Sequence, residues 1–205
     1  MNLATKVHLY HHDVLAGAWG KASAFCLLIY PIFELARKTI GIVGFGTIGR
    51  GVARIAEGFR MKILVYDAFE IKGSAYSSTD LETLLAESDI VTLHCPLTEE
   101  TQNLINAETI SRMKSTALLI NTARGSLADE QAVVDALNNG QLGGAGFEVL
   151  TVEPPKNGNV LIGAKNMLVT PHSAWSSREG RQTLVDETAA NIKSFMEGGT
   201  KNMVA

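Results

Sequence analysis

The chain has 205 residues, 46% of them hydrophobic, and its 18 Lys and Arg against 21 Asp and Glu leave a formal net charge of -3. That length suits one domain with additions, or two small ones at roughly 100 to 200 residues each, and it is enough to bury a real core. A small negative balance with no long block of like charges gives no footing for nucleic acid or for an anionic membrane surface. The longest apolar run, residues 25–33, contains Pro31 and falls well short of the roughly 18 residues that cross a bilayer, so no membrane-spanning helix is expected. Residues 1–10 do not read as a signal peptide, because Lys6 and His8 interrupt the apolar stretch. Cys26 and Cys95 have no paired spacing, which argues against a disulfide framework or zinc cage and suits a reducing cytoplasm.

Along the chain, Leu3, Val7, Tyr10 and Val14 recur at helical spacing ahead of Gly17, predicting one amphipathic helix over residues 1–16. His8 and His12 share a face of that helix, but no third ligand is in view and no metal site is expected. Residues 17–34 are apolar and irregular, with Trp19, Phe25, Leu27, Leu28, Ile29, Ile32 and Phe33; such a segment either covers a partner surface or is buried in its own domain.

The pivotal stretch follows. An apolar run, Ile40, Ile42 and Val43, enters the turn Gly44-Phe45-Gly46-Thr47-Ile48-Gly49 and leaves into a segment with Ile48, Val52, Ile55 and Phe59 at helical spacing. In such a strand–turn–helix unit Gly44 permits the tight turn, Gly46 admits a pyrophosphate to the backbone, and Gly49 lets helix pack close on strand. The helix N-terminus offers free N–H groups and a partial positive charge to the phosphates. The next β-like run, residues 62–66, ends in Asp67, eighteen residues past Gly49, near where an acid should accept hydrogen bonds from an adenosine ribose.

Residues 68–79 read as turn-like, and Asp80 caps a short helix through Leu84 and Leu85. Residues 90–94 form a third strand closed by Cys95-Pro96, Asn106 caps a helix through Met113, and residues 117–121 form a fourth strand. Asp129 caps a helix ending at Gly140, residues 144–149 and 167–170 are two further strands, and Ser176 to Glu179 has capping-box spacing ahead of a long helix stopped by Gly198-Gly199. Strands alternating with helices demand parallel crossovers, hence an α/β fold with a doubly wound parallel sheet of Rossmann type and its ligand at the C-terminal strand ends. The expected division is a helix and arm over 1–35, a dinucleotide-binding domain over 36–176, and a C-terminal helix and tail over 177–205.

Three polar residues follow successive strands: Arg124 after the fourth, Glu153 after the fifth and His172 after the sixth. A cation, a carboxylate and an imidazole facing a nicotinamide suit hydride transfer to a carbonyl. The imidazole supplies the proton, the carboxylate orients it and raises its pKa, and the guanidinium grips a carboxylate or polarises the carbonyl.

With GFGTIGR at 44–50, HCPLT at 94–98, NTARG at 121–125, EPP at 153–155 and TPHSAW at 170–175 in that order, the chain from about Thr5 onward resembles the cofactor-binding portion of the D-isomer-specific 2-hydroxyacid dehydrogenases. The stretch LGGAGFEVLTVEPP and the tail look most like the glycerate dehydrogenase and hydroxypyruvate reductase branch. The resemblance implies Arg124 as substrate-binding arginine, Glu153 as partner of His172, and His172 as general acid and base. With the three turn glycines, it implies a cofactor site lined by Thr47, Ile48, Asp67, Cys95, Pro96, Thr101, Thr122, Ala123, Arg124, Glu148, His172 and Ala174. Asp67, followed by Ala68-Phe69 and no Arg, points to NAD, since a 2'-phosphate beside a carboxylate would be repelled.

The implied activity is reduction of a small 2-oxo acid such as hydroxypyruvate or glyoxylate, in a cytoplasmic homodimer whose contact includes the apolar segment. A non-catalytic, NAD-binding, dimerising module is the rival reading. Departures from the family pattern are Glu148 where an Asp is usual, Arg37 where a glycine is common, and a start inside what should be the region joining a preceding substrate domain. On that last point the chain alone is expected to turn over slowly.

Overall fold

The computed structural model describes residues 1–71, 76 and 78–203. The chain divides into two compact units, Met1–Val169 and Thr170 to the C-terminus. Among the described residues of the first unit, six strands make one parallel sheet in the order β2-β1-β3-β4-β5-β6. They are β1 (Thr39–Val43), β2 (Lys62–Tyr66), β3 (Ile90–Leu93), β4 (Leu118–Asn121), β5 (Gly144–Phe147) and β6 (Met167–Val169).

The order turns back on itself at β1 and β3, which places the crevice for a ligand at the C-terminal ends of those strands. Every residue of β1 and β3 is buried, as expected for central parallel strands covered on both faces, whereas β2 and β6 at the edges are only partly so. Successive residues feed opposite faces. Ile40, Ile42, Ile90 and Leu118 join one apolar cluster, and Val43, Val91, Leu93 and Leu119 join the other.

The helices are α1 (Asn2–Thr5), α2 (Val7–Leu15), α3 (Thr47–Gly58), α4 (Leu81–Glu87), α5 (Ala107–Ser111) and α6 (Glu130–Asn139). Three predicted caps are found: Asp80 accepts from Thr83 N, Asn106 forms a capping box with Thr109, and Asp129 accepts from Gln131 N and Ala132 N. Gly140 ends α6 in the left-handed conformation, and α5 stops at Ser111, short of the predicted Met113. The reading of 68–79 as turn-like lies partly outside the described residues, at 72–75 and 77.

One expectation is corrected. The single N-terminal helix is two, broken at Lys6, whose φ of 52° no α-helix accommodates. Leu3 is buried and packs over β5, where a Cβ on Gly146 would stand 3.2 Å from its Cδ1, while α2 has no buried residue. The helix predicted from the spacing of Ile48, Val52, Ile55 and Phe59 is found as α3. Of the residues at that spacing, Val52 packs partly on the smaller cluster while Ile48 is 67% and Ile55 64% exposed, and the buried residues of the helix are Gly49, Ala53 and Ala56. The helix lies so close to β1 that only small side chains fit between them.

Of the two alternatives left open for the apolar segment, burial in its own unit accounts for little. Phe33 and Leu35 pack on the smaller cluster, but Phe25 is 91% and Leu28 85% exposed. The segment is tied back to α2 where Tyr30 OH donates to Asp13 at 2.6 Å and the rings of Tyr10 and Tyr30 meet edge to face.

The second unit carries α7 (Arg178–Met196). Its cap is Ser177, which accepts from Gly180 N at 2.9 Å, one residue later than the predicted box at Ser176. Gly198 follows its end at φ 77°.

Arg37, singled out in the sequence, has φ 67° and donates its N–H to Arg60 O at 3.0 Å. The left-handed conformation costs an L-residue about 1–2 kcal/mol, and glycine's extra chain entropy offsets roughly half of that. Arg37→Gly is therefore expected to stabilise the protein by about 0.5–1 kcal/mol, raising Tm by about 2 °C in a thermal melt.

Candidate cofactor and catalytic site

Gly44 follows β1 at φ 90°, and a Cβ there would lie 2.5 Å from Cys95 N. The turn is thus pressed against the end of β3, and only glycine fits. Gly49, in the first turn of α3, is held as closely: a Cβ would come within 2.2 Å of Gly44 O. Gly46 differs, since a Cβ there would meet nothing within 4 Å, and Gly46, Thr47 and Ile48 are exposed. This open backbone at the N-terminus of a twelve-residue helix fits a dinucleotide pyrophosphate: N–H groups are presented, and among the described residues no atom stands within 4 Å of a Cβ at Gly46.

Asp67, directly after β2, accepts from Phe45 N at 2.6 Å and from Phe69 N at 2.9 Å. The carboxylate is thereby fixed to the glycine turn itself, and it sits where the ribose acid of a dinucleotide site belongs. Phe45 is buried, its ring faced by Tyr76 edge-on and by the Arg50 guanidinium at 4.8 Å.

On the other side of the turn, His94 and Cys95 are half-buried and Pro96 is exposed. Burial pushes the Cys95 thiol up, and the Asp67 charge adds to the effect, so it stays protonated at neutral pH. Burial lowers the His94 pKa, and its Nε2 lies 2.9 Å from Thr92 Oγ1. Thr101 closes the loop after β3, donating from Oγ1 to Pro96 O at 2.7 Å and accepting from Thr98 N at 2.8 Å.

After β4, Asn121 is wholly buried and organises the turn that carries Thr122, Ala123 and Arg124. Its Oδ1 accepts from Ala123 N at 3.1 Å and its Nδ2 donates to Arg124 O at 2.8 Å. The Arg124 side chain is exposed, with Nη1 donating to Ala123 O at 2.6 Å. Gly125 then touches the next loop, where a Cβ would stand 2.0 Å from Leu150 C. Glu148 follows β5, its N–H donating to Asn121 O at 3.0 Å, and Glu153 accepts from Leu150 N at 2.7 Å ahead of a cis bond to Pro154.

The first unit thus brings its share of the predicted residues to the C-terminal strand ends. Reasoning from sequence missed Asn121, although it opens the NTARG motif, and missed the second role of Glu130, which accepts from Thr151 N and Asn159 Nδ2. His172 and Ala174 belong to the second unit. There His172 has φ 51°, a conformation rare outside glycine, its N–H donates to Thr170 O at 3.1 Å, and its carbonyl accepts from Trp175 Nε1 at 3.0 Å.

A glycine turn from β1 into α3, an acid after β2 and a sheet that reverses at β1 define a dinucleotide-binding Rossmann domain. The chain belongs to the D-isomer specific 2-hydroxyacid dehydrogenase family: residues 1–174 match the family's NAD binding domain. It is 47% identical over 197 residues to a glycerate dehydrogenase of Methylorubrum extorquens, covering 95% of this chain and 62% of that protein. It is 40% identical over 202 residues to a hydroxypyruvate reductase of Blautia hydrogenotrophica, covering 96% and 63%. The crystal structure of the TT0316 protein from Thermus thermophilus superposes with a TM-score of 0.86 at 36% identity, covering 97% of this chain and 62% of that one. The chain thus spans a little over three fifths of the length of these relatives.

Gly46→Ala adds a methyl into open space and is expected to leave Tm unchanged, yet to weaken NADH binding at least about tenfold by obstructing the pyrophosphate; Gly49→Ala lowers Tm markedly. Calorimetric titration beside thermal melts separates the two. For His94, a folded pKa below the unfolded value of about 6.5 means that protons favour the unfolded chain. Stability present at pH 7 and above is lost as pH falls below about 6.5, and His94→Gln flattens Tm between pH 7 and 5.

Proposed function

We propose that this protein is an NAD-dependent oxidoreductase acting on a small 2-hydroxy or 2-oxo acid, with hydroxypyruvate or glyoxylate as the oxo substrate. The observation that carries the reading is the buried Asn121 and its hydrogen bonds, which fix the turn presenting Arg124 at the C-terminal edge of a sheet whose family binds NAD. Arg124 grips the carboxylate of the oxo acid through its planar, permanently charged fork. His172 holds the proton that ends on the product hydroxyl oxygen, and Glu153 is its carboxylate partner, favouring the charged imidazole. Bound NADH supplies the hydride.

Asp67, anchored by Phe45 N and Phe69 N, favours NAD by repelling a 2'-phosphate. A cytoplasmic setting is part of the proposal and is supported by two unpaired cysteines. Among the described residues no helix is long and apolar enough to cross a membrane.

A homodimer is also proposed. Its support is the exposed apolar surface of residues 19–32, which meets the end of α3 around an apolar hollow lined by Ile32, Phe33, Leu35 and Phe59. The same surface favours the second reading, an NAD-binding dimerising module without turnover.

The test follows NADH absorbance with hydroxypyruvate for the 205-residue chain and for His172→Ala. An enzyme shows oxo-acid-dependent decay that falls about 10²–10⁴-fold in the variant while NADH affinity holds. Intact NADH binding with no decay at high protein concentration would favour the second reading.

A further inference from the structure

Glu130 is the first residue of α6, a helix already capped by Asp129, so the local structure has no need of a second acid there. Its carboxylate reaches away from the helix instead. Oε1 accepts from Thr151 N and Oε2 from Asn159 Nδ2, each at 2.7 Å. Asn159 is committed on its other side, its Oδ1 accepting from Leu161 N at 2.9 Å, and Leu161 is fully buried. Between these two fixed points runs the loop that carries Glu153, whose Oε1 accepts from Leu150 N, the amide next to Thr151. Gly125 presses on the same backbone from the Arg124 side.

We infer that Glu130 is a positioning residue for Glu153, clamping both ends of the 151–159 loop so that the Glu153 carboxylate is held beside the Arg124 turn. The inference rests on the oxidoreductase reading for its meaning in catalysis, though the clamp itself does not. Both of Glu130's partners are donors, so the clamp requires a group that only accepts. Glu130→Gln, nearly identical in size, keeps one bond and turns an N–H toward the other donor. Asn159 cannot answer by rotating its amide, because Leu161 N holds its oxygen. Asn159→Asp in that background restores the match, with the amide introduced by E130Q donating to a carboxylate that still accepts from Leu161 N.

Amide hydrogen exchange of the 205-residue chain, resolved at Leu150 and Thr151, reads the clamp directly, and NADH oxidation with hydroxypyruvate reads its consequence. In E130Q the two amides are expected to lose protection by about tenfold, the effect of losing one hydrogen bond to a carboxylate, while β4 amides and NADH affinity hold. The rate falls by a similar factor or more with little change in KM, and E130Q with N159D recovers both. Unchanged protection of Leu150 in E130Q and in E130A would overturn the inference, as would a lost rate that N159D fails to rescue. If the unsubstituted chain shows no NADH oxidation, the failure falls on the oxidoreductase reading, and the exchange at Leu150 alone decides the clamp.

Discussion

Only 2.2 Å separate the carbonyl oxygen of Gly44 from the place a Cβ on Gly49 would occupy, and that gap governs how α3 lies on the sheet. Because the helix comes so near, the residues it turns inward are Gly49, Ala53 and Ala56. Because it comes near at its N-terminus, its free N–H groups stand at the end of β1, beside the open backbone of Gly46. Gly44 is fixed from the opposite side by Cys95 N, and Asp67 is hydrogen-bonded to the turn through Phe45 N. The open backbone of Gly46 and the Asp67 carboxylate therefore share one turn.

A second close approach joins two loops at the ends of β4 and β5. Gly125 lies against the Leu150 backbone, so the turn carrying Arg124 and the loop carrying Glu153 form one packed layer at the ends of β4 and β5. Asn121 satisfies the first turn internally, and Glu130 holds the second from α6. On the proposed oxidoreductase reading, this backbone is ordered before a polar substrate arrives, so binding need not supply the free energy of ordering the loop.

Much of this is legible in the sequence, for reasons that differ by element. The strand rhythm and the caps at Asp80, Asn106 and Asp129 are local properties, and the structure carries them where the residue types place them. The apolar spacing of α3 announces the helix but not which way it faces: Ile48, Ile55 and Phe59 are exposed, Val52 packs partly on the core, and the buried positions are glycine and alanine. The break at Lys6 and the shift of the α7 cap from Ser176 to Ser177 depend on single backbone torsions, which neighbouring residue types leave open. Glu130 is invisible as a loop clamp because its partners, Thr151 and Asn159, are 21 and 29 residues away and carry no motif of their own. Arg37 stands out in the sequence as unusual but gains a physical meaning only with its φ of 67°.

The central claim is that the glycine turn and the carboxylate it anchors form an NAD site, and the most direct test is calorimetric titration of the 205-residue chain with NADH and, separately, with NADPH. The account predicts a single site per chain that binds NADH at least about tenfold more tightly, because Asp67 accepts from the ribose hydroxyls and repels a phosphate in their place. Equal affinity, or a preference for NADPH, would contradict the role given to Asp67, and no binding of either would contradict the site.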